Sequence, residues 1–176
     1  SADELTALFA RQSGKTETMA RVMVALLITL PFLANHFPEL IAYKKGFWAG
    51  VFAPVKDQAA TSFERMIEVL DSELCRELLA ESDLYFEEEN KSSRKLSNGS
   101  FIRIWSASPG ANIESKTLHI AILEESQDIG FFKVRKSIEP MLTATCGLMV
   151  HVGTANQLQS PFFEAIKRNK QLQRKN

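Results

Sequence analysis

Three short stretches of this chain hold residue types that could do chemistry together. The first is Ala10-Arg11-Gln12-Ser13-Gly14-Lys15-Thr16, which sets a Gly-Lys-Thr triplet between a short apolar run and a long helical one. That is the build of a phosphate-binding loop: the backbone N–H groups of a tight turn face one point, and the following helix adds its positive end. Arg11 to Thr16 are then the nucleotide-binding segment, with Lys15 a mobile cation for the terminal phosphates and Thr16 a hydroxyl for magnesium. The full pattern G-x-x-x-x-G-K-[ST] asks for a glycine where this chain has Phe9, so only its second half is intact.

The second stretch is Leu118 to Leu123, an apolar run that passes straight into Glu124-Glu125. A buried strand ending in carboxylates, at the sheet edge that also carries a phosphate loop, is where the magnesium of a nucleotide is held. Glu124 would serve the metal through water. Glu125, one residue further and aimed differently, would polarise a water for in-line attack on the γ-phosphate. The alternative is a pair of exposed glutamates at a strand end. The third stretch, Gly153-Thr154-Ala155-Asn156, follows another apolar run. Thr154 and Asn156 could sense the γ-phosphate from a neighbouring strand, or simply cap the strand and begin a loop.

These stretches need a scaffold of buried strands and covering helices, and the chain spells one out. Leu5 to Phe9 reads as a short buried strand. The helix after the loop carries Met19, Val22, Met23, Leu26, Leu27 and Leu30 at helical spacing, should be covered on most sides, and is bent or ended by Pro31. Asn35 to Gly46 is a surface connection. Phe47 to Pro54 has the unbroken apolarity of a central parallel strand. Asp57 caps the next helix, whose Phe63, Met66, Ile67 and Leu70 form one stripe. The acidic run ending in Glu87-Glu88-Glu89 reads as solvated surface. Asn98-Gly99 joins two strands within Arg94 to Trp105 as a tight hairpin. A helix spans Phe131 to Ile138 and is broken by Pro140; Gly147 to Val152 is a buried strand; and Ser160-Pro161 starts a last helix with a basic tail. His119, inside an apolar strand, reads as a core histidine.

At 176 residues, 45% of them hydrophobic, the chain suits a single domain spanning 1–176. Its formal net charge is zero, so it lacks the global basic field of a dedicated nucleic-acid binder, and any polynucleotide contact must be local, weak or shared with other subunits. Cys75 and Cys146 form no zinc pattern with His36, His119 and His151, and suit a reduced, intracellular setting. The apolar run Val22 to Ala34 is short for a membrane span, is interrupted by Pro31 and follows Arg21, so no membrane association is expected. No signal peptide is visible, and a chain that begins almost on its phosphate loop suggests N-terminal trimming.

Taken in order, these motifs give a sequence that resembles the ATPase domain of the large terminase subunit, the motor that packages DNA into tailed-phage and herpesvirus capsids. The resemblance covers nearly the whole chain. It rests on Ala10 to Thr16, similar to the family's variant phosphate loop in which Arg-Gln precedes the turn; on Leu96 to Ser100 leading to Ser106-Ala107-Ser108-Pro109; on Ile120 to Ile129 as the Walker B segment with its catalytic glutamate; and on Gly153 to Asn156 as the coupling motif. It implies an α/β, three-layer P-loop NTPase of the RecA-like additional-strand type, with a mainly parallel central sheet and a β-hairpin. It also implies magnesium-dependent ATP hydrolysis that drives double-stranded DNA into a procapsid. The partners would be a homo-oligomeric ring, the portal protein and the small terminase subunit, in the host cytoplasm.

In that light Arg11 would approach the γ-phosphate and stabilise charge as the bond breaks, joining Lys15 and Glu125 as catalytic residues; otherwise it is a surface arginine paired with a carboxylate. Two departures matter. Where many members have Arg-Gly before the acidic strand, this chain has Glu114-Ser115 beside Lys116, which leaves a trans-acting arginine unassigned. The chain also leaves no room for a linker subdomain or an RNase H-like nuclease domain. Two other readings compete: a RecA-like helicase or DNA-repair ATPase, and a nucleotide-binding assembly module that is inactive without its ring partners.

Overall fold

A computed structural model describes residues 3–8, 14–113, 116–153 and 161–173. The strands are β1 (Asp3–Leu8), β2 (Trp48–Ala53), β3 (Phe86–Asn90), β4 (Ser93–Leu96), β5 (Phe101–Ser106), β6 (Ile120–Leu123) and β7 (Leu148–Gly153). They are hydrogen-bonded as one seven-stranded sheet in the order β1-β7-β6-β2-β5-β4-β3. The helices are α1 (Lys15–Leu33), α2 (Lys56–Leu70), α3 (Glu73–Glu81), α4 (Phe131–Lys133), α5 (Glu139–Thr143) and α6 (Pro161–Gln173). Together they make an α/β fold on a mainly parallel sheet. By contacts the chain groups into two compact units: one of Ser1–Ser13, Gly50–Ala59 and Trp105–Asn176, the other of Gly14–Ala49 and Ala60–Ile104.

The first unit holds the parallel strands. β1 runs parallel to β7 with Leu8 opposite Gly153, and β6 runs parallel to β7 with Leu123 opposite His151. Ala49, Val51, Phe52 and Ala53 of β2 are fully buried, as the unbroken apolar run predicts for a strand covered on both faces. The Phe52 ring stacks on Trp105, centroids 5.1 Å apart and planes within 9°. Ile122, Leu123, Leu118, Ile129, Ile138 and Leu142 complete this core. β1 is an edge strand and differs from expectation: Leu5 is 52% exposed. Its ties run to α6, where Arg168 donates to both carboxylate oxygens of Glu4 at 2.7 and 2.8 Å and Asn169 Nδ2 donates to Thr6 Oγ1 at 3.1 Å.

Pro140 does not break its helix. α4 continues through a π-helical turn, Val134–Ile138, into α5 with Pro140 near its start. Proline lacks the N–H that a regular helix would direct at the carbonyl four residues back. The π-turn immediately upstream shifts the backbone bonding by one residue, and the helix carries on.

The second unit is built on α1 and an antiparallel meander. β3 pairs with β4, and β4 with β5, both antiparallel, so the expected hairpin is two strands of a three-stranded meander. The acidic run is a strand, and it lies at the surface as expected: Glu87 and Glu89 are exposed and Glu88 half-buried, with Glu87 paired to Lys95, Glu88 to Arg103 and Glu89 to Arg94. The turn at Asn98-Gly99 is as expected, with Gly99 at φ 85°. Asp57 falls inside the first turn of α2 and not ahead of it, so it faces the helix dipole as a first-turn acid and is not the cap. The α2 stripe is as expected, with Phe63, Met66 and Leu70 buried.

α1 is less covered than its apolar spacing suggests. Ala20, Met23, Val24, Leu27 and Ile28 are buried, while Val22 and Phe32 are 51% and 64% exposed. Thr16–Leu33 has a mean hydropathy of 1.5 and the length of a membrane span, but it carries Glu17 and Arg21 and is buried along one face. Pro31 neither ends the helix nor leaves a bare carbonyl. Its missing N–H would have paired with Leu27 O; Asn98 Nδ2 donates there instead, at 3.0 Å, while Asn98 Oδ1 accepts from Ser100 N at 2.9 Å. Asn98→Ala should therefore cost about 1–3 kcal/mol, the usual penalty for orphaning a part-buried acceptor. Urea denaturation measures it; a loss under about 0.5 kcal/mol would show that the carbonyl finds water instead.

Candidate functional site

Of the first stretch, the described residues start at Gly14. Its backbone is left-handed, φ 72° and ψ 15°, a conformation glycine adopts without penalty. Lys15 opens α1, and Gly14 O accepts from Thr18 N at 3.0 Å, so the first turn of the helix is formed. Thr16 is half-buried in that turn. Glu17 follows and is held by Arg21 and Arg65; hydrogen bonding to Arg21, against a burial cost, keeps its carboxyl below the ordinary range. Arg11, Gln12 and Ser13 lie outside the described residues, as do Thr154 and Asn156 of the third stretch.

The second stretch, within the first unit, starts where β6 ends. Glu124 N donates to Phe52 O at 2.8 Å, so the strand's hydrogen bonding to β2 continues one residue beyond Leu123. Glu125 then turns the chain with φ 44° and ψ 46°. A non-glycine residue in this left-handed region is uncommon and strained, and such residues gather at functional sites. Both glutamates are half-buried. The Glu125 carboxylate is steered by its own turn: Gln127 Nε2 donates to its Oε2 at 2.7 Å.

Two residues that the sequence reading left aside meet behind this turn. Ser126 Oγ and His151 Nδ1 lie 2.7 Å apart, at 0% and 2% exposure. His151 Nε2 is also buried and has no hydrogen-bond partner among the described residues. The signals in the sequence were a histidine inside an apolar run three residues before Thr154, and a serine next to Glu125; their pairing is long-range and no spacing rule exposes it.

Burial, opposed by the Glu4 carboxylate and seconded by Arg168, pushes the His151 imidazole down from its ordinary 6.5 to about 4. The ring is thus neutral in the fold at pH 7. Because the unfolded chain takes up this proton at higher pH than the folded one, the stabilisation is whole above pH 6.5 and is lost as pH falls toward 4. The loss should reach about 3 kcal/mol. Urea midpoints from pH 7 to pH 4 would show the step in the wild-type chain and its absence in His151→Gln; equal pH slopes in both would overturn the assignment.

Within the first unit, the register sets three chain exits at one edge of the sheet. β1 leaves at Leu8 toward the phosphate loop, β6 at Leu123 toward Glu124-Glu125, and β7 at Gly153 toward Thr154. Ligands of open α/β sheets bind outside the carboxyl ends of parallel strands.

No protein-family model matches the sequence, and no curated protein matches it. Solved structures do. The fold is similar to the large terminase ATPase domain of Thermus phage P74-26, with a TM-score of 0.69 and 24% identity over 92% of this chain. A point variant of that domain gives 0.70 and 22%, again over 92%. The chain spans 62% and 63% of those two chains. The large terminase of a second, thermophilic bacteriophage matches over 99% of this chain and 38% of its own, at a TM-score of 0.55 and 13% identity. At these identities the likeness establishes a shared fold.

Proposed function

We propose that the chain is the ATPase core of a DNA-packaging motor of the large-terminase kind, hydrolysing ATP with magnesium. The observation that carries this reading is the common edge at which β1, β6 and β7 end, since in the sequence a Gly-Lys-Thr loop, a pair of glutamates and a Gly-Thr-Ala-Asn segment follow those three strands. The shared fold with large terminase ATPase domains supports it.

In this reading the loop amides and Lys15 bind the phosphates, and Arg11 meets the charge that grows as the terminal bond breaks. Gln12, Ser13 and Gly14 complete the cradle. Glu125 accepts a proton from the attacking water and orients it in line. The bond from Gln127 holds its carboxylate in orientation for that task. Thr154 and Asn156 report whether the γ-phosphate is present. Thr16 and Glu124, each half-buried, suit magnesium: a hard cation takes hydroxyl, carboxylate and water oxygens and leans on the phosphates themselves. Among the described residues no group of three or more His, Cys, Asp or Glu could hold a metal without such help. When bound there, the ion supplies neutralisation of the β- and γ-phosphate oxygens. The chain is read as one P-loop domain of a longer protein that assembles as a ring on double-stranded DNA. It would meet a portal protein and a small terminase subunit in the host cytoplasm.

The test is ATP hydrolysis by the full-length protein, followed with and without magnesium and against protein concentration. Lys15→Ala should weaken ATP binding about 10- to 100-fold, the worth of a charge-assisted bond, and lower turnover with it. A Lys15→Ala protein that binds and hydrolyses ATP like wild type would sink the proposal.

A further inference from the structure

The buried pair behind the glutamate turn has no role in the chemistry above, and its burial calls for one. Ser126 is the residue after Glu125 and is fully buried, and its hydroxyl meets His151 rather than its own backbone. His151 sits in the middle of three parallel strands, in register with Leu123 on one side and Thr6 on the other. A smaller apolar residue at that place in β7 would need no partner; a histidine leaves Nε2 buried and without a partner among the described residues, a cost retained in the fold. The preceding residue, Glu125, holds a left-handed backbone that must be over-determined by its surroundings to persist. Ser126 supplies one such restraint, tying the turn by its side chain to another strand.

We infer that His151 is a positioning residue: through Nδ1 and Ser126 Oγ it fixes the turn that aims Glu125, and it joins that turn to β7, the strand leading to Thr154. The link rests on the reading of Glu125 as the residue that activates water. It gives the segment after Gly153 a short mechanical route to the glutamate: a change in tension along β7 moves His151, His151 moves Ser126, and the carboxylate next to Ser126 changes its aim. The ring does this as a neutral group, one nitrogen sharing a proton with the serine, so no proton is gained or lost.

The experiment compares Ser126→Ala, His151→Leu, their double variant and His151→Asn in the full-length protein. His151→Asn keeps a polar atom near the position of Nδ1. Ser126→Ala and His151→Leu should each lower kcat about 10- to 100-fold, the cost of a sub-ångström to ångström misplacement, while KM for ATP moves less than about twofold. The double variant should be no slower than the worse single one, and His151→Asn should recover most of the rate. Unchanged kcat in Ser126→Ala, or additive losses in the double variant, would overturn the link. Amide hydrogen exchange supplies a readout independent of turnover. Ser126→Ala should speed exchange at residues 124–127 and 150–153 with the remaining strands unaffected, and unchanged exchange there overturns the link even if ATP hydrolysis is never observed. Absence of hydrolysis in the wild-type protein would instead count against the ATPase reading alone.

Discussion

Glu125→Gln should leave ATP bound and lower kcat by about 10²- to 10⁴-fold, the range expected when a positioned general base is removed. The substitution is close to isosteric, and the turn that carries the residue is formed by backbone and by Ser126, not by the carboxylate's charge. Gln127 Nε2, which donates to Glu125 Oε2 at 2.7 Å, would find the amide oxygen of the new side chain in the same place. The backbone at φ 44° asks nothing different of glutamine than of glutamate. What disappears is the ability to take a proton from water. Titrating a nucleotide analogue and measuring single-turnover hydrolysis in the same preparation separate the two effects. Wild-type turnover in the variant would remove Glu125 from the mechanism; loss of binding would mean that it serves the metal, the role given to Glu124.

Phe52→Ala carries the largest expected effect on stability, about 3–5 kcal/mol. Phe52 is fully buried in β2, stacks on Trp105, and its carbonyl receives the Glu124 amide. Truncation removes the ring's transfer energy, leaves a cavity beside Trp105 and takes away that ring's stacking partner. Domains of this size are stable by only about 5–15 kcal/mol, so the variant should be marginal or unfolded at about 37 °C. Denaturant unfolding gives the number, and a loss below about 1 kcal/mol would show that this part of the core repacks freely.

Much of this architecture is legible in residue order alone, because it depends on local periodicity. The unbroken apolarity of Phe47 to Pro54 marks a buried strand, the i, i+3, i+4, i+7 spacing in α2 marks its inner face, and Asn98-Gly99 marks a hairpin. The place of Glu124-Glu125 at the end of an apolar strand is legible for the same reason, though the left-handed turn at Glu125 is not. What was not legible depends on partners far away in sequence. Glu87-Glu88-Glu89 is solvated surface as its charge suggests, but that it is also a strand depends on Arg94, Lys95 and Arg103 coming alongside. Pro140 looks like a stop until a π-turn absorbs it, and Pro31 looks like one until Asn98 takes over the carbonyl it leaves. The apolar spacing of α1 and β1 overstated their burial, since periodicity shows which face is greasy and not how much lies against it. Ser126 and His151, 25 residues apart, had no local signature at all. Arg11, Gln12, Ser13, Thr154 and Asn156 lie outside the described residues and stand on the motif reading.

The placing of β1 has a consequence for how the molecule breathes. It is one of the two edge strands, paired on one side only, and Glu4–Arg168 and Thr6–Asn169 tie it to α6. Peeling it away leaves β7, β6 and β2 hydrogen-bonded to one another, so the opening is a local event well below the free energy of global unfolding. Leu8 is also the last described residue before the phosphate-loop sequence, so that sequence follows directly on an edge strand. A nucleotide gripped by that loop would therefore be felt first as a damping of this edge, and its release as a loosening.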